Sequence, residues 1–309
     1  MKILILLILL SSQLFAIELF QTKHTESHVW ISGSKISLVP PKDFTPAQNF
    51  SGFENRSTFA SIMLNEIPTS VDNIVGNLTP EALLKQDVKL IKIDTLKING
   101  YKGVLVEGRQ TAYGKDFTKY ILIFGDDSKT IMINGAHQTQ LNQSDEIKKS
   151  ILSVYYDSDR IIDPLEGIKF SIDVSNTKFK FANTMSGTVI YTVDGQVPPQ
   201  SEDKSMLMVS NSIGSGDMEL NKGFAIERMK NLPVKTFVNE NEVIEVEING
   251  LKGYELISYQ DPEKNINDFT YMIMLFDETN YYMIIGIAID DVDTNHELYK
   301  SIARTFKLK

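Results

Sequence analysis

The chain repeats one short phrase, and this repetition constrains its fold more than any other sequence feature. Residues 97–106 read KINGYKGVLV, and residues 247–256, about 150 residues later, read EINGLKGYEL. In both copies Asn-Gly stands between two short segments rich in apolar residues, which is typical of a β-hairpin with a type I′ turn. The next glycine of the second copy, Gly253, indicates either a bulge or a close backbone approach.

The agreement continues downstream of the hairpin. DFTKYILIF from Asp116 corresponds to DFTYMIMLF from Asp268, and an acidic turn, another strand and a helix then follow each in the same order. For the last helix the sequence predicts a capping box, with Thr294 as N-cap and Glu297 as its partner. Four strands and a closing helix that recur at nearly one offset indicate a tandem duplication.

The upstream parts of the two copies match less closely. Each is expected to contain an early strand, a loop with Ser-Gly, a further strand and a helix. The first of these helices begins at Thr79 and Pro80, and the second spans roughly Met218 to Lys230. Copy two adds a strand pair around FKFA and GTVIYTVDG. We therefore expect an N-terminal extension, a first unit, a linker and a second unit at residues 17–33, 34–157, 158–166 and 167–309.

Runs of strands punctuated by two helices in each unit predict an α+β fold, with an antiparallel sheet packed against helices. The stretch ISLVPPKDFTPAQNFSGFEN, a helix, the phrase ING…KG, paired long strands and a final helix resemble the PsbP-like fold that is shared with the Ran-binding Mog proteins. The sequence of these stretches is similar to that of exported, uncharacterised proteins of the Bacteroidetes type. This resemblance covers about Lys35 to Lys309 and contains no catalytic motif. It implies two tandem PsbP-like domains and an accessory or binding role, since known members serve in photosystem assembly, nuclear transport or the bacterial envelope.

The N-terminus predicts export. Lys2 precedes the aliphatic run Ile3 to Leu10, and SSQLFA follows, which is the order of a secretory signal peptide over residues 1–16. A membrane anchor is the alternative, but the apolar run is shorter than the roughly 18 residues that a span requires. The chain has no Cys, so it folds without disulfides. We expect a periplasmic or extracellular protein with no membrane span after cleavage.

Length and charge set further limits. The 309 residues are more than one typical domain and suit two, and a composition of 42% apolar and 23% charged residues is ordinary for a globular protein. The net charge of −9, with no stretch that concentrates Lys and Arg, argues against nucleic-acid binding. The partner is therefore expected to be a protein or a small ligand, while nothing in the sequence specifies its identity or the oligomeric state.

Three stretches resemble ligand-binding motifs without completing them. GRQTAYGKD has five residues between its glycines, and Asp116 stands where a phosphate loop needs Ser or Thr, so a hairpin loop is the better interpretation. HELYK has Lys300 in place of the second zinc ligand. DDVDTNHE, residues 290–297, offers oxygen ligands for a cation but has His296 where a calcium loop requires Gly. The sequence predicts no cofactor, no metal ligand and no catalytic residue.

Two groups remain as candidate functional residues. Phe44, Phe50 and Phe53 lie in a loop rich in Pro and Asn, and they either cover an open end of the sheet or form a partner-binding patch. His137 ends a predicted strand and is expected to face solvent. A pocket that joined His137 to an acid and a hydroxyl would instead indicate a hydrolase whose site is assembled from sequence-distant residues. The main hypothesis is a non-enzymatic envelope protein that binds through its sheets or through the groove between its domains.

Overall fold

A computed structural model describes residues 18–112, 114–185, 187–213 and 221–309. The fold is mixed α+β and mostly β-sheet, with five α-helices in the described part of the chain. The predicted signal peptide lies outside the described residues. Within them, no helix combines the length and the apolar character that crossing a bilayer would require.

The first half of the chain forms one large and one small sheet. Its elements in chain order are β1 (Glu18–Phe20), β2 (Val29–Trp30), β3 (Ile36–Leu38), β4 (Thr45–Pro46), β5 (Gly52–Asn55), β6 (Ala60–Ile67), α1 (Val71–Gly76), α2 (Pro80–Leu84), β7 (Val88–Ile98), β8 (Tyr101–Ala112), β9 (Lys115–Gly125), β10 (Thr130–Gln138), α3 (Ser144–Leu152) and β11 (Tyr155–Tyr156). The large sheet has the order β1-β7-β8-β9-β10-β6-β5-β4, and the small sheet has the order β11-β3-β2. The predicted N-terminal extension thus contributes β1 and β2 to the two sheets.

The second half forms a seven-stranded sheet and a two-stranded pair. Its elements are β12 (Phe170–Ser171), β13 (Lys180–Met185), β14 (Thr188–Thr192), β15 (Met206–Asn211), α4 (Lys222–Lys230), β16 (Ile244–Ile248), β17 (Leu251–Ser258), β18 (Phe269–Phe276), β19 (Tyr281–Ala288), α5 (Val292–Ala303) and β20 (Lys307–Leu308). The large sheet has the order β16-β17-β18-β19-β15-β14-β13, and β12 pairs with β20.

The two large sheets share one strand order. Strands β7 to β10 correspond to β16 to β19, and β6, β5 and β4 correspond to β15, β14 and β13. The expectation that the strand pair around FKFA and GTVIYTVDG is an addition to the second copy is therefore wrong. Its counterparts in the first half are β4 and β5, which are short, and β4 contains Pro46, which has no N–H to donate to a ladder. In the two large sheets, the described strand that has no counterpart is β1.

The repeated phrase forms the predicted hairpin in both halves. Asn99 and Asn249 have φ of 48° and 49°, and Gly100 and Gly250 follow at 88° and 85°, as a type I′ turn requires. Gly253 lies in an unbroken register with β18, and a Cβ at this position would overlap a carbonyl oxygen of β18. The close backbone approach is therefore the correct alternative, and the bulge is absent from this pairing.

Each large sheet has helices on both faces. In the first sheet, α3 packs on one face with Ile147 and Ile151 in the core, while α1 and α2 pack on the other through Val71 and Leu83. In the second sheet, α5 and α4 cover the two faces in the same way. Every residue of β18 is consequently buried. A strand covered on both faces is apolar throughout instead of alternating, as the FTYMIMLF of β18 is.

The start of α5 differs from the prediction. The helix begins at Val292, its N-cap is Asp291 at φ 48°, and that cap makes no side-chain hydrogen bond. Asn295 donates its Nδ2 to the carbonyl oxygens of Asp290 and Asp291. The predicted capping box is wrong, because the turn at Asp290 and Asp291 leads into the helix early and places Thr294 inside its first turn.

Of the other two helix starts that the sequence analysis predicts, one is confirmed and one lies outside the described residues. Thr79 caps α2 by accepting a hydrogen bond from the N–H of Ala82 at 3.1 Å, with Pro80 at the first helical position as predicted. Helix α4 begins at Lys222, capped by the side chain of Asn221. Residues 218–220, where the predicted helix began, lie outside the described residues.

Candidate functional site

The loop between β4 and β5 reaches from the first half of the chain to the second. At its tip, Asn49 donates Nδ2 to Oδ1 of Asn280, 2.7 Å away, in the turn between β18 and β19. The carbonyl oxygen of Asn49 accepts a hydrogen bond of 3.0 Å from Nδ2 of Asn211 at the end of β15. The loop with the adjoining strand ends, residues 46–53, therefore connects the two large sheets, and we call this segment the bridging loop.

The backbone of the bridging loop is held on both sides. The N–H of Ala47 donates to the carbonyl oxygen of Gly52 at 2.9 Å, and the N–H of Leu64 on β6 donates to that of Ser51 at 2.8 Å. Gly52 has φ of 149°, and a Cβ there would overlap the carbonyl oxygen of Ile62, so only glycine allows this approach. The loop is thus fixed before any ligand arrives.

The structure gives the three phenylalanines different surroundings. Phe53 is 1% exposed and belongs to the core beneath α3, and Phe44 packs against the edge of that core. Phe50 is half-buried in the bridging loop and lines the cavity described next. A partner-binding role for the three stays a prediction, and Phe50 has the ring best placed to contact a ligand.

A cavity of about 510 Å³ lies beside the bridging loop, between the two halves of the chain. Small-molecule sites commonly occupy about 300 to 1,000 Å³. The main walls are the turn after β2, the bridging loop, the segment before β12, the end of β13 and one residue of β15, namely 30–34, 46–53, 162–169, 183–185 and Asn211. Both halves contribute, and we call this cavity the inter-sheet cleft.

The inter-sheet cleft has an apolar floor and a polar rim. Ile31, Phe53 and Leu64 are buried and form the floor. The rim carries amide and hydroxyl side chains, namely Ser32, Gln48, Asn49, Ser51, Ser128, Asn183, Thr184 and Asn211. Such groups donate and accept hydrogen bonds without carrying charge. A ligand with one apolar face and several hydroxyl or amide groups matches this lining.

The charged residues of the cleft balance one another. Glu66 forms an ion pair with Lys129, so each of the two charges is already neutralised by the other and does not attract a charged ligand. Glu166 accepts a hydrogen bond from the N–H of Gly33 at 3.2 Å, and Lys169 is the fourth charged residue of the lining. Two carboxylates and two ammonium groups leave no net charge, so the cleft favours an uncharged ligand.

One wall of the cleft is held by stacking. The guanidinium carbon of Arg160 lies 4.0 Å from the ring centre of Trp30, and the ring of His24 stacks on Trp30 at 5.0 Å. Arg160 belongs to the predicted linker, which is also tied to the first half because Nζ of Lys35 donates to the carbonyl oxygen of Ser158 at 2.5 Å. The linker segment is therefore packed against the first sheet unit.

His137 is 1% exposed, so the expectation that it faces solvent is wrong. Strand β10 continues through Gln138, and the chain then folds back into α3 over the imidazole. Nδ1 lies 2.8 Å from the carbonyl oxygen of Gln138, and Nε2 lies 3.0 Å from Oγ of Ser144. Since a carbonyl only accepts, Nδ1 carries the proton and Nε2 accepts from Ser144.

Burial lowers the pKa of His137. Neither partner is a carboxylate, and His137 does not line the inter-sheet cleft.

The partial motifs serve structural roles. GRQTAYGKD forms the β8–β9 hairpin, where Oγ1 of Thr111 donates to Oδ1 of Asp116 at 2.7 Å, so the hairpin interpretation is confirmed for its described residues. In DDVDTNHE, the Asn295 amide donates to backbone carbonyls at the start of α5. No group of three or more His, Cys, Asp or Glu side chains that could hold a metal ion occurs within 18–112, 114–185, 187–213 and 221–309.

Comparison with known proteins gives distant neighbours only. No protein-family model matches the chain, and no curated protein matches it. A crystal structure from Bacteroides thetaiotaomicron VPI-5482 is 12% identical with a TM-score of 0.31, and the match covers 47% of this chain and 52% of that one, about half its length. The apo immunity protein TplEi of T6SS from Pseudomonas aeruginosa is 12% identical with a TM-score of 0.32, over 91% and 97% of the two chains. At these values no residue role or partner is transferred from either protein.

Proposed function

We propose that the protein is an exported, non-enzymatic binding protein whose inter-sheet cleft takes a small, uncharged ligand. One observation carries the proposal: a cavity of about 510 Å³ is walled by both halves of the chain and has balanced charges and a rim of amides and hydroxyls. Hydroxyl and amide groups of the ligand bind the rim, and its apolar face covers Phe50 and the buried floor.

The rigidity of the cleft supports binding. The bridging loop is held by backbone hydrogen bonds and by its amide contacts with Asn211 and Asn280. The Trp30 wall is stacked between neighbours. A preformed site loses less conformational entropy when a ligand binds than a mobile one does.

We further propose that the two sheet units are tandem domains of the PsbP-like type, over residues 34–157 and 167–309. The shared strand order of the two large sheets supports this proposal. The signal-peptide pattern of residues 1–16 supports export to the periplasm or the extracellular space. N-terminal sequencing of the protein from an envelope fraction tests export, and an intact Met1 on cytoplasmic protein would contradict it.

Native mass spectrometry of the protein purified from its own envelope extract tests the cleft. Ser32→Trp places a large ring in the cleft from an exposed rim position. The matched control, Ser301→Trp, adds the same ring to the exposed face of α5. We expect the wild type and the control to retain one added mass of small-molecule size, and we expect Ser32→Trp to lose it. An added mass that survives Ser32→Trp, or its absence from all three proteins, contradicts cleft binding.

A hydrolase is the second candidate function, because Ser144 donates to His137 as a nucleophile does to its base. Ser144 is half-buried at the start of α3. Labelling with an alkyl fluorophosphonate probe tests it. The hydrolase requires covalent labelling of the wild type that Ser144→Ala abolishes, and an unlabelled wild type rules this site out.

A further inference from the structure

Among the residues that the structure describes, the outer edge of the second large sheet is open where that of the first is covered. In the first sheet, β1 pairs in parallel with β7, so that Glu18 to Phe20 lie beside Leu96 to Ile98. The corresponding strand of the second sheet, β16, is the end strand of its sheet within the described residues. The shared strand order therefore identifies a position beside β16 that an extended segment fills in the first half.

The first half shows how such a segment is held. Phe20 packs against the core beneath α3. The N–H of Asn99, in the hairpin turn, donates to the carbonyl oxygen of Phe20 at 2.9 Å. Oδ1 of Asn99 accepts from the N–H of Thr22 at 2.9 Å, and its Nδ2 donates to the carbonyl oxygen of Val154 at 3.1 Å. The turn asparagine thus links the added segment to the end of the closing helix.

The same receiving groups are present in the second half. Asn249 stands in the equivalent turn, and its Nδ2 donates to the carbonyl oxygen of Phe306, 2.5 Å away, after the closing helix α5. Leu96 on β7, which lies beside Glu18 of β1, is 1% exposed, whereas its counterpart Val246 on β16 is only partly buried. The difference is the one expected for a strand whose neighbour is missing.

The main chain of β16 is also ready for pairing. Ile248 and Leu251 are the paired residues on either side of the turn. In a two-residue hairpin, these two residues are hydrogen-bonded to each other. Because hydrogen-bonded and non-hydrogen-bonded pairs alternate along an antiparallel ladder, Glu245 and Glu247 point their N–H and C=O groups away from β17. Those groups face the open position, where a parallel strand can bind them.

Charge distinguishes the open position from the filled one. In the first sheet, Leu19 of β1 lies beside Lys97 of β7. The residue that corresponds to Lys97 in the second sheet is Glu247, and Glu245 and Glu247 are both exposed. An opposite-charge pair across neighbouring strands is favourable. A segment beside β16 therefore fits best with Lys or Arg where β1 has Leu19.

We propose that β16 binds an extended segment of another protein by parallel strand addition. The segment carries Lys or Arg beside Glu247 and, as its next residue, a large apolar side chain beside Ile248, which fills the position that Phe20 fills in the first sheet. Addition of a strand to an exposed sheet edge is a general mode of peptide recognition. The chain's own β1 is already paired with β7, and its sequence Glu-Leu-Phe contains no basic residue, so a second copy of this chain fits less well.

The probe is a fluorescent peptide with the sequence of residues 17–24, carrying either Leu19→Lys or Leu19→Glu, titrated with the full mature chain. Fluorescence anisotropy should show that the Lys peptide binds about fivefold more tightly than the Glu peptide, because the first pairs with Glu247 and the second is repelled by it. The variant Glu247→Lys should reverse this order. Glu247→Pro removes an outward N–H without removing a bond to β17, and it should weaken the Lys peptide at least about tenfold.

Three outcomes overturn the proposal. The first is the absence of saturable binding of the Lys peptide up to about 1 mM. The second is equal binding to the wild type and to both Glu247 variants, which would mean that the peptide replaces β1 beside β7. The third is a concentration-dependent dimer of the wild type that Glu247→Pro abolishes, since a second copy would then occupy the edge. If Glu247→Pro fails to fold, the proposal is tested by Glu247→Lys alone, which must bind the Glu peptide more tightly than the Lys peptide.

Discussion

Nδ2 of Asn49 lies 2.7 Å from Oδ1 of Asn280, and this hydrogen bond joins two residues that are 231 positions apart. The turn that presents Asn280 is itself held by Asp277, whose Oδ1 accepts from the N–H of Asn280 at 2.6 Å and whose Oδ2 accepts from the hydroxyl of Tyr282 at 2.8 Å. The bridging loop therefore meets an acceptor that its own turn holds in place, and the contact joins the two large sheets.

Asn49→Ala should lower the free energy of unfolding by about 1 kcal/mol, the usual net contribution of one hydrogen bond. Urea unfolding measures it, followed by far-UV circular dichroism. Asn241→Ala, at an exposed position between α4 and β16, is the matched control and should change stability by less than about 0.5 kcal/mol. Equal effects of the two substitutions would mean that the contact does not couple the halves.

Residues 17–157 and 164–309, expressed separately, should each unfold cooperatively in urea. Each half has its own large sheet with packed helices on both faces, which is enough to bury a core at this length. Both halves should be less stable than the intact chain, because separation breaks the contacts of Asn49 with Asn211 and Asn280, and the first half also loses the packing of Arg160 on Trp30. If either half is unfolded in buffer, the two units are not independent domains.

Gly253→Ala should destabilise the protein by about 3 kcal/mol, because the added Cβ would overlap the backbone of β18. Gly250→Ala is the control three residues away. Its Cβ would meet nothing within 4 Å, but its φ of 85° is costly for alanine, so a loss of about 1 kcal/mol is expected. Thermal or urea unfolding compares the two, and a larger effect at Gly250 would refute the close approach at Gly253.

Arg304→Met should destabilise the protein by about 2 kcal/mol. Nη2 of Arg304 lies 2.8 Å from Oε2 of Glu255, a carboxylate that is 4% exposed. Removal of the arginine leaves this buried carboxylate without its partner, and partial exposure of Arg304 lets water offset some of the loss. The double variant Glu255→Gln with Arg304→Met should recover part of the stability. A double variant that loses the sum of both single effects would show that the pair does not interact.

The stability of the protein should fall below about pH 6.5 partly because of His137. Burial lowers the pKa of this imidazole from its model-peptide value of 6.5, so the folded state binds fewer protons than the unfolded state in mildly acidic solution. Stability therefore rises with pH through this range, and the contribution of His137 is complete above the unfolded pKa. Urea unfolding between pH 5 and 8 should show a weaker pH dependence for His137→Gln than for the wild type. Parallel curves would contradict the lowered pKa.

The repeated hairpins could be predicted because their cause is local. Asn99-Gly100 and Asn249-Gly250 adopt positive φ in neighbouring residues, and the flanking alternation assigns the strands without reference to the rest of the chain. The start of α2 at Thr79 and Pro80 has a local cause as well. The start of α5 did not follow the predicted capping box of Thr294 and Glu297. The turn at Asp291, whose φ is 48°, starts the helix at Val292 instead.

The candidate site could be predicted only in part. From the sequence, the loop that contains Phe50 is predicted as a candidate binding patch. The groove between the two units is predicted as a candidate binding site. The sequence contains no sign that Asn49 would reach Asn280 or that segment 162–169 would form the opposite wall, since these partners are far apart along the chain. His137 was misplaced for the same reason, because α3, which returns over the strand, buries it.

Local sequence specifies most of the strands, the two hairpin turns and the start of α2, because each depends on periodicity and backbone preference over a few residues. Tertiary packing sets which faces and edges meet. Gly135 and Gly286 show the difference, since each lies beneath its closing helix, where a Cβ would overlap Ile147 or Tyr299. The pairing of β1 with β7, the position of β16 at the edge of the described sheet and the inter-sheet cleft arise in the same way. They depend on packing between distant segments, and packing is set by the shape of both partners at once.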